Sequence, residues 1–418
     1  MTGTALSAIM ELSEKAEKQT IRKNEEDLIM ERKVRTAVVG CGMISNIYIK
    51  NLKNLFSIID LAAVADINRA AAEQKAAAYG VERVMTIDEV AAAEDIELAV
   101  CLTPAFVHYD VIKRMLEAGK HVWTEKALTV TAEQGRELVA LADAKGLYLG
   151  VAPDTVLGAG TQTARRALDT DMIGTVTSGV AVINRNQSLN AETFTFLRGN
   201  GGSLPYDVGI YYIGTLLTLL GPVEQVQAFG APAKRHEPEF LFRNAEEEPW
   251  TIPGCNVISA SLKFVSGALV SVHFDGNTVN AEQHCLTLFG TRGILKVGDP
   301  DKFCSPVSLI YAGQPECVLP FTHGYDGRNT VDPTPFDFYG HRGVGAAEMA
   351  YAIRRGRPNR CSKEYGLHCL EILEAMERSA ATGETVSVES RFEMKPLAPG
   401  YYSGLGGGRG DAEMSLVY

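Results

Sequence analysis

Two glycines one residue apart, Gly40 and Gly42, follow directly on a short β-branched run at residues 34–39 and lead into the helix-forming stretch 46–55. At such a junction the first glycine makes a tight turn. The second lets a backbone carry its N–H groups up to a phosphate, and Met43 and Ile44 would add theirs at the helix start. Ser45 stands at the third position of the fingerprint, small enough for close helix–strand packing. A second apolar run, 61–65, ends in Asp66, whose carboxylate can accept hydrogen bonds from both ribose hydroxyls of NAD and would repel a 2′-phosphate. Arg69, three residues on, either faces solvent or meets that phosphate. The reading is therefore NAD rather than NADP. Two further loops close apolar runs, Thr103-Pro104 after 98–102 and Glu125-Lys126 after 121–124. Ligands of open α/β sheets bind beyond the carboxyl ends of the strands, so both loops are expected to face the nicotinamide. His108 follows the first of them, either near the cofactor or as a cap on its helix.

These residues need a scaffold. Short apolar runs alternate with helical stretches of about ten residues through 34–152, which implies right-handed crossovers and a doubly wound parallel sheet, the Rossmann arrangement. The second half reads differently. Residues 256–264 alternate Ile258, Ala260, Leu262 and Phe264 on one face, turn at Ser266-Gly267, and return through 268–274; 284–289 and 294–297 make a second hairpin. Mostly antiparallel strands with a few helices make an α+β domain over 153–395, built on a large open sheet. The expected fold class is α/β with this second domain appended. Residues 1–33 form a helical extension, in which Ile9, Leu12 and Ala16 recur at helical spacing; it is either a frayed end or an arm that packs on a neighbouring subunit. Residues 299–340 read as a long irregular stretch beside the substrate mouth, and 396–418 as a tail.

The run TPAFVHYDVIKRMLEAGKHVWTEKAL resembles the signature of the glucose–fructose oxidoreductase and inositol dehydrogenase (Gfo/Idh/MocA) oxidoreductases. In that family a Glu-Lys-Pro tripeptide supplies a substrate-binding, catalytic lysine, which implies that role for Lys126; Ala127 stands where the proline usually does. The resemblance continues at Gly201-Gly202-Ser203-Leu204-Pro205-Tyr206-Asp207, a Gly-rich loop leading into a helix. There an aspartate is followed four residues on by histidine or tyrosine, here Tyr211. Positions i and i+4 share a helical face, so Asp207 and Tyr211 can enter one pocket. The segments 342–358 and 365–380 resemble the family's closing elements. Oxidising a secondary alcohol needs a hydride acceptor on one side and a base for the hydroxyl proton on the other. Tyr211 is the expected acid/base, ahead of adjacent Tyr212. Its phenol, near ~10 when free, would be lowered by a lysine ammonium. Lys126 would polarise the hydroxyl or relay its proton, and Asp207 would bind a neighbouring hydroxyl or hold Lys126. Asp154, at the start of the second domain, and Asn184-Arg185, at the end of a strand, are further candidates to contact substrate.

The balance of 40 Lys+Arg against 51 Asp+Glu leaves a net charge of −11, which argues against nucleic acid or an anionic membrane as partner. Eight cysteines without a Cys-x-x-Cys pair, and the pairs His284-Cys285 and His368-Cys369 without ligand spacing, indicate reduced core thiols in a cytoplasmic protein and no metal. The resemblance implies a homodimer or higher oligomer, with the open face of the second sheet against a second subunit. The expected activity is NAD-dependent oxidation of a ring hydroxyl of a sugar or glycoside. C3 of a glucosyl unit is the specific expectation, with tightly bound cofactor recycled by a second sugar. The alternatives are an inositol or cyclitol dehydrogenase with exchanging NAD, and a non-catalytic NAD- or sugar-binding regulator on the same fold.

Overall fold

The computed structural model describes residues 32–234, 250–279, 283–325 and 342–397. The expected N-terminal helix and most of the expected tail lie outside them.

Six strands build the first sheet: β1 (Val34–Val39), β2 (Ile59–Ala65), β3 (Arg83–Met85), β4 (Leu98–Cys101), β5 (His121–Thr124) and β6 (Leu149–Val151). All pair in parallel, in the order β3-β2-β1-β4-β5-β6. Helices cover both faces, which is why Ala37, Val38 and Val39 are wholly buried one after another instead of alternating. The helices are α1 (Ser45–Asn54), α2 (Arg69–Tyr79), α3 (Ile87–Ala92), α4 (His108–Glu117) and α5 (Ala132–Lys145). Asn68, Thr86 and Thr131 cap α2, α3 and α5 through their side chains, whereas no side chain caps α1. Strand order reverses between β1 and β4, so the crevice opens there, over the uncapped end of α1.

The chain then crosses to a second layer: α6 (Ala159–Asp169), β7 (Val176–Asn184), α7 (Gln187–Thr193), a π-helical turn at Pro205–Gly209, and α8 (Ile210–Leu220). After it come β8 (Val223–Pro232), β9 (Cys255–Phe264), β10 (Leu269–Asp275), β11 (Gln283–Gly290), β12 (Ile294–Val297), β13 (Val307–Ile310) and β14 (Cys317–Val318). α9 (Val344–Arg355), α10 (Lys363–Thr382) and β15 (Val386–Ser387) complete the described chain. The nine strands run β14-β13-β12-β11-β7-β10-β9-β8-β15, antiparallel except for the β7–β10 pair. Its inner face packs on α8 and α10: the Tyr212 ring lies 6.0 Å from Phe274, and the Ala228 N–H donates to Ser379 Oγ at 2.9 Å.

Two expectations change. The stretch 299–340 is not wholly irregular, because β13 and β14 extend the sheet within it; their few residues are too short to register as a periodic pattern. The tail does not begin free at 396: Leu397 is 2% exposed and its N–H donates to Gln162 Oε1 at 2.9 Å. The last helices also return to the first sheet. A Cβ on Gly345 of α9 would stand 2.0 Å from the Trp123 ring, and the Val151 N–H donates to Cys361 O. Among the described residues no helix is long and apolar enough to cross a membrane.

Candidate active site

The crevice starts at Gly40, held at φ +104° under the β4 loop; a Cβ there would lie 2.8 Å from the Leu102 carbonyl carbon and 2.9 Å from Thr103 N. Only glycine fits both constraints. At Gly42 the opposite holds: no described atom lies within 4 Å of where its Cβ would be. Met43 beside it is 46% exposed and Ile44 half-buried at the head of the uncapped α1. A bare backbone turn at a helix N-terminus is the shape and charge a pyrophosphate requires. Asp66 is fixed by its neighbours, Oδ2 accepting from the Cys41 N–H at 2.6 Å and Oδ1 from the Asn68 N–H at 2.7 Å. Each oxygen keeps a second lone pair for a ribose hydroxyl. Arg69 lies on the surface, paired with Glu73 one turn along α2 at 2.9 Å. The residues present therefore fit a dinucleotide.

His108 is not a helix cap. It is fully buried, its Nδ1 lying 2.7 Å from Ala127 O and its Nε2 2.7 Å from Thr103 O, so it ties the loop after β4 to the loop after β5. Burial pushes its imidazole below the usual value even though both carbonyls favour the protonated ring. Pro104 between these loops is exposed. Glu125 is tied down at both oxygens: Tyr48 donates its hydroxyl to Oε1 at 2.7 Å, and the Lys126 N–H donates to Oε2 at 3.1 Å. Glu125 thus anchors the backbone of Lys126, whose peptide to Ala127 is cis.

Lys126 reaches across the crevice. Its Nζ donates to Asp207 O at 2.5 Å and to Asp207 Oδ1 at 2.9 Å, with both side chains mostly buried. Arg185, just past β7, donates to Asp207 Oδ2 at 2.6 Å, and Gln187 Nε2 joins it at 3.0 Å. Burial alone would raise the Asp207 carboxyl, but Lys126 and Arg185 hold it well below the ordinary carboxylate range. It is an anion at any working pH and holds the two cations in place. The Tyr211 ring lies beneath, its centre 5.3 Å from Lys126 Nζ.

The expectation that Lys126 lowers the Tyr211 phenol is corrected. Burial pushes that phenol well above 10, and the cation touching its oxygen is Arg342, whose Nη2 donates to it at 3.1 Å. Tyr212 turns into the core against Phe274. Asp154 is also deep: its Oδ2 accepts from the Gly343 and Gly345 N–H groups at 2.8 and 3.2 Å, at the head of α9. Lys126, Arg185, Asp207 and Tyr211 thus converge, while Asp154 stands behind them and Arg69 apart. Gln187, Asp301 and Arg342 escape a reading of the sequence. Arg342 is 131 residues from Tyr211, and no spacing rule links them. Among the described residues no group of three or more His, Cys, Asp or Glu side chains could hold a metal.

Comparison with known proteins gives the family and the fold. The family model for the NAD-binding Rossmann fold of GFO/IDH/MocA oxidoreductases matches residues 34–152, and that for the GFO/IDH/MocA C-terminal domain matches 161–296. Inositol 2-dehydrogenase of Rhizobium meliloti (strain 1021) is 34% identical over 169 residues, 40% of this chain and 50% of that protein. The chain spans about half the length of the curated relatives it matches at this level of identity. Levoglucosan dehydrogenase in complex with NADH and L-sorbose superposes with a TM-score of 0.71 at 18% identity, over 86% of this chain and 99% of that one. Aldose–aldose oxidoreductase from Caulobacter crescentus complexed with glycerol gives 0.67 at 20% identity, over 85% and 100%. With both domains matched in order along the sequence, the chain belongs to the GFO/IDH/MocA family of oxidoreductases, and its first domain is that family's NAD-binding Rossmann fold.

Proposed function

We propose that the protein oxidises a secondary ring hydroxyl of a sugar or glycoside, with NAD as hydride acceptor. The observation that carries this reading is the 2.9 Å Lys126–Asp207 pair, which places a fixed ammonium from the nucleotide domain against the substrate domain at the carboxyl end of β5. Gly40, Gly42, Met43, Ile44 and Asp66 would hold NAD, which would supply the hydride acceptor. Lys126 donates to the substrate oxygen and stabilises the alkoxide as the hydroxyl proton leaves. Tyr211, in its phenolate form, takes that proton in the oxidising direction and returns it in the reducing one; burial holds the phenol above 10, so turnover rises toward alkaline pH. Arg185 and Gln187 fix Asp207, which accepts from a neighbouring hydroxyl.

A glycoside is favoured by the rim of the crevice. Phe106, on the loop after β4, and Phe196, in the turn after α7, are 49% and 50% exposed. A Cβ on Gly199, in the turn leading to Gly202, would touch the Phe106 ring at 3.2 Å. Gln187 in turn binds both Gly202 O and Asp207. An apolar aglycone would find these rings beside the polar floor, and C3 of a glucosyl unit is the position we assign. A second sugar as oxidant, with the nicotinamide retained, is part of this reading; a neighbour of the same fold is named an aldose–aldose oxidoreductase. A second reading, a cyclitol dehydrogenase with exchanging NAD, is favoured by the inositol 2-dehydrogenase relative.

The test is NADH absorbance across a panel of sugars, cyclitols and glycosides, with wild type and Lys126→Ala. Lys126→Ala should lower turnover by about two orders of magnitude or more while NAD binding survives; near-normal turnover would remove Lys126 from the chemistry. Cyclitol turnover with free NADH release favours the second reading. Turnover that needs a paired sugar acceptor, without NADH release, favours retained cofactor. No redox turnover with any substrate would make the protein a regulator.

A further inference from the structure

Arg342 precedes α9 and is 2% exposed. A guanidinium so far from water persists only where partners meet it on every side. Its Nη2 donates to the Tyr211 hydroxyl oxygen at 3.1 Å and to Asp301 Oδ1 at 2.7 Å, and its Nη1 stands 3.7 Å from Asp154 Oδ1. The guanidinium carbon lies 5.0 Å from the centre of the Tyr211 ring and 5.7 Å from that of Phe303. Its backbone is anchored as well, since its carbonyl accepts from Asn51 Nδ2 of α1 at 3.0 Å. Four parts of the fold therefore converge on one residue: α1 on its backbone, and the turn after β6, the loop after β12 and the start of α8 on its side chain.

An arginine cannot give up its proton under working conditions, so it is a permanent donor. The oxygen of Tyr211 must accept from it, and the phenol's own hydrogen must point elsewhere. We propose that Arg342 is the positioning residue for Tyr211, fixing the phenol oxygen as its acceptor, turning the O–H toward the substrate and supporting the phenolate, with Asp301 setting how much of its charge Tyr211 feels. This rests on the reading of Tyr211 as acid/base. The charged groups facing Tyr211 are Arg342, Asp301 from the loop after β12, Glu125 and Lys126 from the loop after β5, and Asp207 from its own helical run. Asp154 acts on it through Arg342. Burial opposes the charge on Arg342, but Tyr211, Asp301 and Asp154 hold it in the charged form.

The experiment is the pH dependence of kcat and KM for wild type, Arg342→Lys, Asp301→Asn and Tyr211→Phe, with NAD affinity as the check on folding. Removing the carboxylate leaves more of the Arg342 charge on Tyr211, so Asp301→Asn should bring the alkaline plateau of kcat to lower pH. Arg342→Lys is shorter and has one nitrogen where the guanidinium spans Tyr211 and Asp301 with Nη2 and faces Asp154 with Nη1, and should move the plateau to higher pH by about one unit or more, with kcat falling further than KM changes. Opposite displacements are the signature, because loss of a structural strut has no reason to produce them. If Tyr211→Phe abolishes turnover while the other two profiles stay put or move together, Arg342 is a strut and the inference is overturned. If Tyr211→Phe turns over normally, the acid/base reading fails, and the inference with it. Asp301 is 20% exposed in its side chain, so Asp301→Asn carries the test even where Arg342→Lys does not fold.

Discussion

A carboxylate can serve a site by being held still, and both acidic residues proposed to meet ligand are so held. Asp207 takes donors from Lys126, Arg185 and Gln187, which removes it as a base and, on the proposed reading, makes it the counter-ion that would keep an ammonium beside the substrate oxygen. Asp66 takes the Cys41 and Asn68 N–H groups, which aims its remaining lone pairs along the crevice. Losing a charged hydrogen bond costs about 1.5–3 kcal/mol. Asp66→Ala should therefore weaken NAD by roughly 10- to 100-fold and weaken NADP far less, since the repulsion toward a 2′-phosphate goes with the carboxylate. Fluorescence titration of both cofactors tests this; equal losses would mean that Asp66 only braces its loop. Gly40, Gly42, Asp66 and Lys126 are legible in sequence because each sits at a fixed offset from a strand end, and strand ends are where parallel sheets bind. Arg342 and Asp301 have no such address. They reach Tyr211 only because the chain returns to the first sheet, and one sequence carries no trace of that meeting.

Elements show the same division. β1 and β5 occupy the residues that their apolar runs specify, because strands buried on both faces need continuous apolar sequence. α6 escapes the pattern: its glycine weakens helical propensity, yet packing demands it, since a Cβ on Gly160 would lie 2.7 Å from Ser305 O. The π-helical turn holding Asp207 is likewise invisible to a count of four, although Asp207 and Tyr211 still share a side. Asp154 joins elements most directly, since its carboxylate closes the N-terminus of α9. Burial lifts its carboxyl to about 6, against the partial opposition of Arg342. The folded state thus holds that proton more tightly than the unfolded chain does. The resulting stability is fully present below about pH 4, the unfolded value, and is lost as pH rises through about 6. Asp154→Asn keeps an oxygen for Gly343 and abolishes the titration. Urea unfolding of the pair should show the variant gaining on wild type between pH 4 and 7, by at most about 3 kcal/mol. A difference that stays flat across that window would place the Asp154 proton elsewhere.

At the scale of the molecule, the second sheet has one face covered by α8 and α10, and among the described residues the other is bare. The bare face is not polar enough to stand as ordinary surface. Phe229 is 77% exposed, Leu269 55% and Phe289 36%; Leu269 pairs with both Lys263 and Ser178, and Ser178 with Phe289, in one row across four strands. Between the rings lie mostly small side chains, Ser259, Ser261, Ser271 and Thr287, which leave the face flat. The five adjacent strands β11, β7, β10, β9 and β8, of seven to ten residues each, at about 3.3 Å per residue and 4.8 Å spacing present roughly 700 Å², comparable with the roughly 800 Å² that each partner of a stable complex contributes. The occupant that matches a flat face of this size is a second copy laid sheet against sheet, with each bare row facing its equivalent. A homodimer is therefore the expected state. Phe229→Asp with Leu269→Asp would place like charges at the centre of that contact, far from the crevice. Light scattering should show a dimer for wild type and a monomer for the double variant, with NAD affinity unchanged. A wild-type monomer, or a double variant that stays dimeric, would mean that something else covers this face.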